Sequence, residues 1–402
     1  MRRQRMKMLT AGAVALTLVA AACGSDDDEP AATDAAPAAT DAPADDDAPA
    51  DDEMAECENI EPVSLQLQWF TQAQFAGYYA AQDKGFYEQH CLDVTIVEGG
   101  VEIVPQTQLA NGDVDFALAW VPKALASREA GANIVNIGQI FQRSGTLQVS
   151  LASSEILGVT DFEGKTIGNW GFGNEYEVFA AIAAAGLDPA TDVTLVGQQF
   201  DMVALLEGDI DAAEAMTYNE LAQVLEAENP DTGELYELGD LNIVNYQTAG
   251  VGMLQDAIWA SGERLADDPA YKDQATRFVA ASMEGWAYCR DNVEDCRDIV
   301  VSKGSTLGAS HQLWQMNEIN KLIWPSPEGI GIINQAAWDK TVQISENTPN
   351  LDGSTVLTQP PTEGAFDNTI VAAALALLGG MDIDLFGVDY VPIDVTLNPG
   401  GE

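Results

Sequence analysis

The chain has 402 residues, enough for about two domains at roughly 150 residues each. Its 64 acidic and 17 basic residues give a formal net charge of −47. So acidic a surface repels nucleic acid and anionic lipid, which excludes both as direct ligands and leaves solubility as the plain reading of the acid.

The first segment in chain order is a targeting sequence. Arg2, Arg3, Arg5 and Lys7 precede the apolar run MLTAGAVALTLVAAAC, and three alanines lead into Cys23. This pattern predicts a bacterial lipoprotein signal over residues 1–23, with Cys23 as the lipidated first residue of the mature chain. About 16 apolar residues are short for a membrane span. Residues 24–56 carry 13 acids, no base and no aromatic side chain. Their repeated Asp, Ala and Pro predict a disordered, extended tether that holds the folded part off the membrane. The remainder keeps 51 acids against 13 bases.

Four further cysteines follow, and export permits disulfides. Cys289 and Cys296 flank the turn-like RDNVED and are expected to pair, which leaves Cys57 with Cys91. There is no Cys-x-x-Cys, and the two histidines, His90 and His311, are expected to be solvated or structural. No metal site and no cofactor are expected.

Strand-like segments with period-two alternation then alternate with helix-like ones up to about residue 255. The strands are VSLQLQW, DVTIVEG, VDFALAW, NIVNIGQI, LQVSLAS, KTIGNW, DVTLVGQ, AAEAMT and NIVNYQ; the helices cover 76–84, 104–111, 121–130, 175–186, 201–207 and 218–228. Such alternation predicts an α/β fold of parallel sheets covered by helices. From 264 to 345 the pattern is helical, and NTIVAAALALLGG is too short to span a bilayer. Two α/β lobes with a helical return predict that the second lobe is inserted into the first, with crossovers near 144–150 and 246–254. The division expected is 57–148 for the first part of lobe one, 149–250 for lobe two, 251–350 for the return, and 351–402 for a C-terminal extension.

LANGDVDFALAW and LLEGDIDAAEAM use one device twice: a helix ending at Gly, an Asp-hydrophobic-Asp turn, then a strand. Ligands of open α/β sheets bind beyond the carboxyl ends of strands, so the site is expected between the lobes. Aromatic residues make up only 7% of the chain, yet they crowd those ends. The first strand is followed by Trp69, Phe70, Gln72, Gln74, Phe75 and Tyr78, and the third ends at Trp120. Phe141 and Gln142 follow the fourth. Lobe two contributes Trp170, Phe172 and Asn174, then Tyr218, Asn219 and Glu220. Flat rings stack on flat ligands, while amides match ring carbonyls and N–H groups. Trp69, Trp120, Trp170 and Tyr218 are assigned to stacking; Gln72, Gln74, Asn174, Asn219 and Glu220 to polar edges. Tyr79 and Phe86 are assigned to the core and Arg143 to a structural role. GNWGFGN lacks the spacing and lysine of a P-loop. No nucleophile elbow, Ser-His-Asp order or Cys-His pair supports catalysis, and the chain is read as a non-enzyme.

WFTQAQFAGYYAAQDKGFYEQHCLDV, NGDVDFALAW, FEGKTIG and EGDIDAAEAMTYNE together resemble the thiamine-pyrimidine-synthase-like and sulfonate-binding-like family of ABC-importer solute receptors, over residues 62 to about 345. WVPKALASREAG, QQFDM, AMTYNEL and QPPTEGAFDN are similar to its riboflavin-binding lipoprotein branch. The resemblance implies a type II-like periplasmic-binding-protein fold that closes on a small ligand. It also implies docking on a permease with its ATPase; a monomer, lipid-anchored outside the cytoplasm through Cys23, is expected. Riboflavin is the ligand it points to; a thiamine pyrimidine precursor, a pyrimidine-synthase-like enzyme and a sulfonate receptor are the alternatives. The family's pyrimidine binders carry a first-loop histidine where Phe75 stands here, and its synthases use a cysteine cluster and iron.

Overall fold

The computed structural model describes residues 57–171 and 173–402. The signal over 1–23, Cys23, the tether over 24–56 and Phe172 lie outside the described residues. Among the described residues there are ten strands: β1 Glu61–Gln66, β2 Leu92–Val97, β3 Phe116–Trp120, β4 Ile134–Gln139, β5 Thr146–Leu151, β6 Thr166–Asn169, β7 Thr194–Gly197, β8 Ala213–Met216, β9 Leu241–Asn245 and β10 Asp256–Ser261. Nine of them coincide with the segments read from period-two alternation. β10 was not among those segments: DAIWAS is buried on both faces and shows no alternation.

The first lobe holds one sheet in the order β2-β1-β3-β10-β4. In the second lobe β8-β5-β9 and β6-β7 pair, and a parallel bridge between Ile167 and Ala212 joins β6 to the start of β8. The expectation of parallel sheets holds for β1–β2, β1–β3 and β6–β7. It fails for β10, antiparallel to β3 and β4, and for β5, antiparallel to β8 and β9. Both are crossover strands. A strand arriving in a lobe from the hinge starts where the resident strands end, so it runs against them.

The five-stranded sheet packs on helix Pro269–Asp291, which starts at Pro269 with Asp268 accepting from the Ala270 N–H. Phe278 from this helix stacks 4.4 Å from Phe116 of β3 and 5.5 Å from Tyr87. Helix Ala76–Asp83 crosses it where Gly77 meets Gly285; a methyl group on Gly285 would strike the Gly77 carbonyl, and one on Gly77 the Trp286 indole. Helix Asn368–Leu378, formed by the apolar NTIVAAALALL, packs against the same long helix and β4. Among the described residues no helix is long and apolar enough to cross a membrane.

Disulfides join Cys57 to Cys91 and Cys289 to Cys296. The first ties the chain ahead of β1 to the residue preceding β2. The second clamps helix Pro269–Asp291 to helix Val293–Ser302.

Candidate functional site

β1 is followed by Leu67, the polar Gln68 and the half-buried Trp69, and three anchors shape the loop that continues from them. The Thr71 N–H donates to Glu98 at 2.8 Å, the Ala73 N–H to Gln312 Oε1 at 2.6 Å, and the Gln74 N–H to Gln315 Oε1 at 3.2 Å. Gly99 is required beside it, because a Cβ there would meet the backbone of residues 67–69. Trp120 ends β3 just ahead of Pro122, which lies in the first turn of helix Val121–Glu129. In the second lobe β6 delivers Trp170, whose backbone N–H donates to buried Glu214 at 2.8 Å. β8 delivers Tyr218, Asn219 and Glu220.

These ends line one cavity of about 640 Å³, within the range of small-molecule sites. Trp69, Gln72, Gln74, Trp120, Trp170, Asn174, Tyr218, Asn219 and Glu220 all border it. Phe200, beyond β7, comes between the lobes: its ring is 4.8 Å from Trp69 and 6.1 Å from Trp170, nearly parallel to the latter at 23°. Phe200 was not among the expected site residues, although it follows a strand end as the others do. Gln68, Lys123 and Tyr176 also border the cavity and were likewise missed.

Six expected residues are not on the described lining. Phe75, Tyr78 and Phe141 have 0%, 1% and 0% of their surface exposed. Phe75 and Tyr78 lie three apart, on the face turned toward Trp286 and the core, so helical periodicity sends them away from the cleft. Phe141 packs edge-on to Trp286 and Tyr218. Gln142 donates to the carbonyls of Gln139 and Ile332 at the hinge. Phe70 is half exposed, leaning edge-on against Trp69 outside the cavity. Phe172 is outside the described residues.

Arg143 donates to the carbonyls of Leu322, Trp324 and Pro325 and is structural, as expected. His311 is buried between Glu226, 2.9 Å from Nδ1, and Asn219, 3.0 Å from Nε2. Asn219 in turn donates to Glu220, whose other oxygen accepts from the Met216 N–H. In GNWGFGN, Gly171 and Gly173 have φ of 66° and 89°, and Asn174 donates back to the Gly171 carbonyl. Among the described residues no three His, Cys, Asp or Glu side chains are placed to hold a metal ion.

Among the described residues Lys123 is the one basic side chain on the lining, which also carries Glu102 and Glu220. Burial lowers the Lys123 ammonium to about 8, and its charge lies 5.2 Å from the Trp120 ring centroid. Burial also raises five carboxyls: Asp256 to about 6, Glu220 to about 7, with Glu177, Glu214 and Glu318 raised too. Each keeps its proton in the folded protein at pH values where the unfolded chain has lost it, so folding takes up protons and stability falls as pH rises from about 4.5 to 7. For Glu220 alone, a rise from 4.5 to about 7 corresponds to about 3 kcal/mol. We expect a higher Tm at pH 5 than at pH 8, with the difference reduced in Glu220→Gln. A Tm that climbs with pH across that interval would contradict it.

The family described as NMT1/THI5 like matches residues 72–295, more than half of the chain. The riboflavin-binding protein RibY of Chloroflexus aurantiacus is 25% identical over 85% of this chain and 92% of that protein. The formylaminopyrimidine-binding protein of Halalkalibacterium halodurans is 24% identical over 61% of this chain and 71% of its own. A Haemophilus influenzae protein named for thiamine biosynthesis is 29% identical over 38% of this chain, and the match spans 49% of that relative. Among solved structures, the periplasmic aliphatic sulphonate binding protein SsuA of Escherichia coli superposes with a TM-score of 0.53 at 16% identity, covering 71% of this chain and 85% of that one. At that identity the likeness concerns the fold, which is the two-lobed periplasmic-binding-protein fold expected from the sequence. By the extent of the family match, this chain is a member of the NMT1/THI5-like family.

Proposed function

We propose that this protein is the extracytoplasmic solute-binding receptor of an ABC importer and that its ligand is riboflavin or a close flavin relative. One observation carries the reading: rings from both lobes border a single cavity whose polar lining is amides, hydroxyls and carboxyls, with one basic side chain among the described residues. A planar, uncharged, hydrogen-bonding heterocycle matches those walls in shape and charge, and each ring contact adds roughly 0.5–1.5 kcal/mol beyond burial. A sulfonate or nitrate would meet Glu220 and Glu102 with only Lys123 in compensation. In this reading Cys23 carries the lipid, residues 24–56 form the tether, and lobes divided near 148 and 250 close on the ligand before the monomer docks on its permease.

A thiamine pyrimidine precursor is the second reading, favoured by the similarity to a formylaminopyrimidine-binding protein. The absence of a first-loop histidine, where buried Phe75 stands, weighs against it and against synthase chemistry. Titration of the purified protein with riboflavin tests the proposal: flavin fluorescence is quenched and the Tm rises. If riboflavin does neither while an aminopyrimidine raises the Tm, the flavin reading falls.

A further inference from the structure

Asp256 opens β10, the strand that returns from the second lobe, and its side chain is buried behind the cleft wall. It gathers three side chains that border the cavity. Gln68 Nε2 donates to Oδ1 at 2.7 Å, Gln74 Nε2 to the same oxygen at 2.9 Å, and Trp120 Nε1 to Oδ2 at 2.8 Å. Gln72 Nε2 then donates to Gln74 Oε1 at 2.7 Å. An ionised carboxylate only accepts and an indole N–H only donates, so the sense of each bond is imposed by Asp256. The amide N–H groups of Gln68 and Gln74 are used inward. On this wall Gln68 Oε1 and Gln72 Oε1 are left without a protein partner, as are the Gln106 amide and the Glu102 carboxylate farther along it.

We propose that Asp256 is a positioning residue that sets the polarity of the lobe-one wall, turning two glutamine oxygens to the cavity so that it selects a ring edge bearing an N–H donor. The inference rests on the flavin-type reading of the site, where the isoalloxazine N3–H is such a donor. Discrimination follows because a ligand edge carrying only acceptors leaves those oxygens unpaired. Lys123 from helix Val121–Glu129, Tyr78 from helix Ala76–Asp83 and Tyr218 beyond β8 are the titratable groups around Asp256, and of these Lys123 carries charge near neutrality. Protonation of Asp256, with its carboxyl raised to about 6 by burial, lets one oxygen donate and one glutamine amide turn over.

Asp256→Asn tests this in the full-length protein, since asparagine keeps the size and an acceptor for Trp120 while placing an NH2 where the glutamines donate. In the unliganded wild type the Trp120 indole N–H resonance is expected to move with pH around 6, and in D256N to stay put. The wild type is expected to bind riboflavin about 10- to 100-fold more tightly than its N3-methylated analogue, and D256N to distinguish them by less than about 3-fold. Retained discrimination in D256N, or the same titration in both proteins, overturns the proposal. If the wild type binds no flavin, the ligand reading fails separately, and the Trp120 resonance still decides the role of Asp256: titration lost in D256N supports it, titration retained overturns it. Should D256N not fold, Gln74→Met breaks the glutamine relay and leaves the carboxylate in place. A narrowed ratio then supports the proposal, and an unchanged one overturns it.

Discussion

Trp69→Ala is expected to weaken riboflavin binding by roughly 100-fold, about 3 kcal/mol, while shifting the Tm by no more than a few degrees. Trp69 is half buried at the end of β1, and Phe200 from the opposite lobe lies 4.8 Å from its ring. Its loss removes ring surface from the ligand wall and opens a gap where the lobes approach. Its neighbour supplies the control. Phe70 is 48% exposed and outside the cavity, so Phe70→Ala should change affinity by less than about 3-fold. Fluorescence titration of the two variants compares them directly. Equal losses in both would show that general cleft hydrophobicity, and not the Trp69 ring, holds the ligand.

Gly285→Val is expected to cost about 3 kcal/mol of stability or more, read as a fall in Tm and in urea midpoint. Two effects compete at this position. Removing a glycine from the middle of helix Pro269–Asp291 gains roughly 0.5–1 kcal/mol in a free helix with alanine, and less with valine. Against that, Gly285 packs on the Gly77 carbonyl and the Ala81 backbone, groups that cannot swing aside as a side-chain end can. The helices must move apart, and Trp286, wholly buried over Gly77, loses its seat. The steric term wins, so a substitution favourable by helix propensity is expected to destabilise. An unchanged Tm would mean that the two helices can separate at no cost.

The contrast between Phe75 and Trp69 shows how far reasoning from the chain reaches. Both are aromatic residues following the first strand, and both were expected to border the ligand. Of the two only Trp69 lines the cavity, because Phe75 sits at the start of a helical stretch whose buried stripe faces helix Pro269–Asp291, some 200 residues away in the chain. No local pattern distinguishes them. Phe200 was open to the same strand-end reasoning that found Trp170 and Tyr218, and its signal was present in QQFDM.

The sequence by itself determined nine strands, the helices between them, the disulfide partners and the family. The strands and helices follow from short-range periodicity and turn chemistry, the second disulfide from elimination once the first is paired, and the family from short motifs spread along the chain. Tertiary structure alone decided the reversed direction of β5 and β10, the burial of Phe75, Tyr78 and Phe141, and the gathering of Gln68, Gln74 and Trp120 around Asp256. Those outcomes depend on which distant segment supplies a neighbour. A carboxylate placed on β10 by the crossover from the second lobe meets glutamines of the loop after β1 that lie more than 180 residues earlier, so its partners are not written near it in the chain.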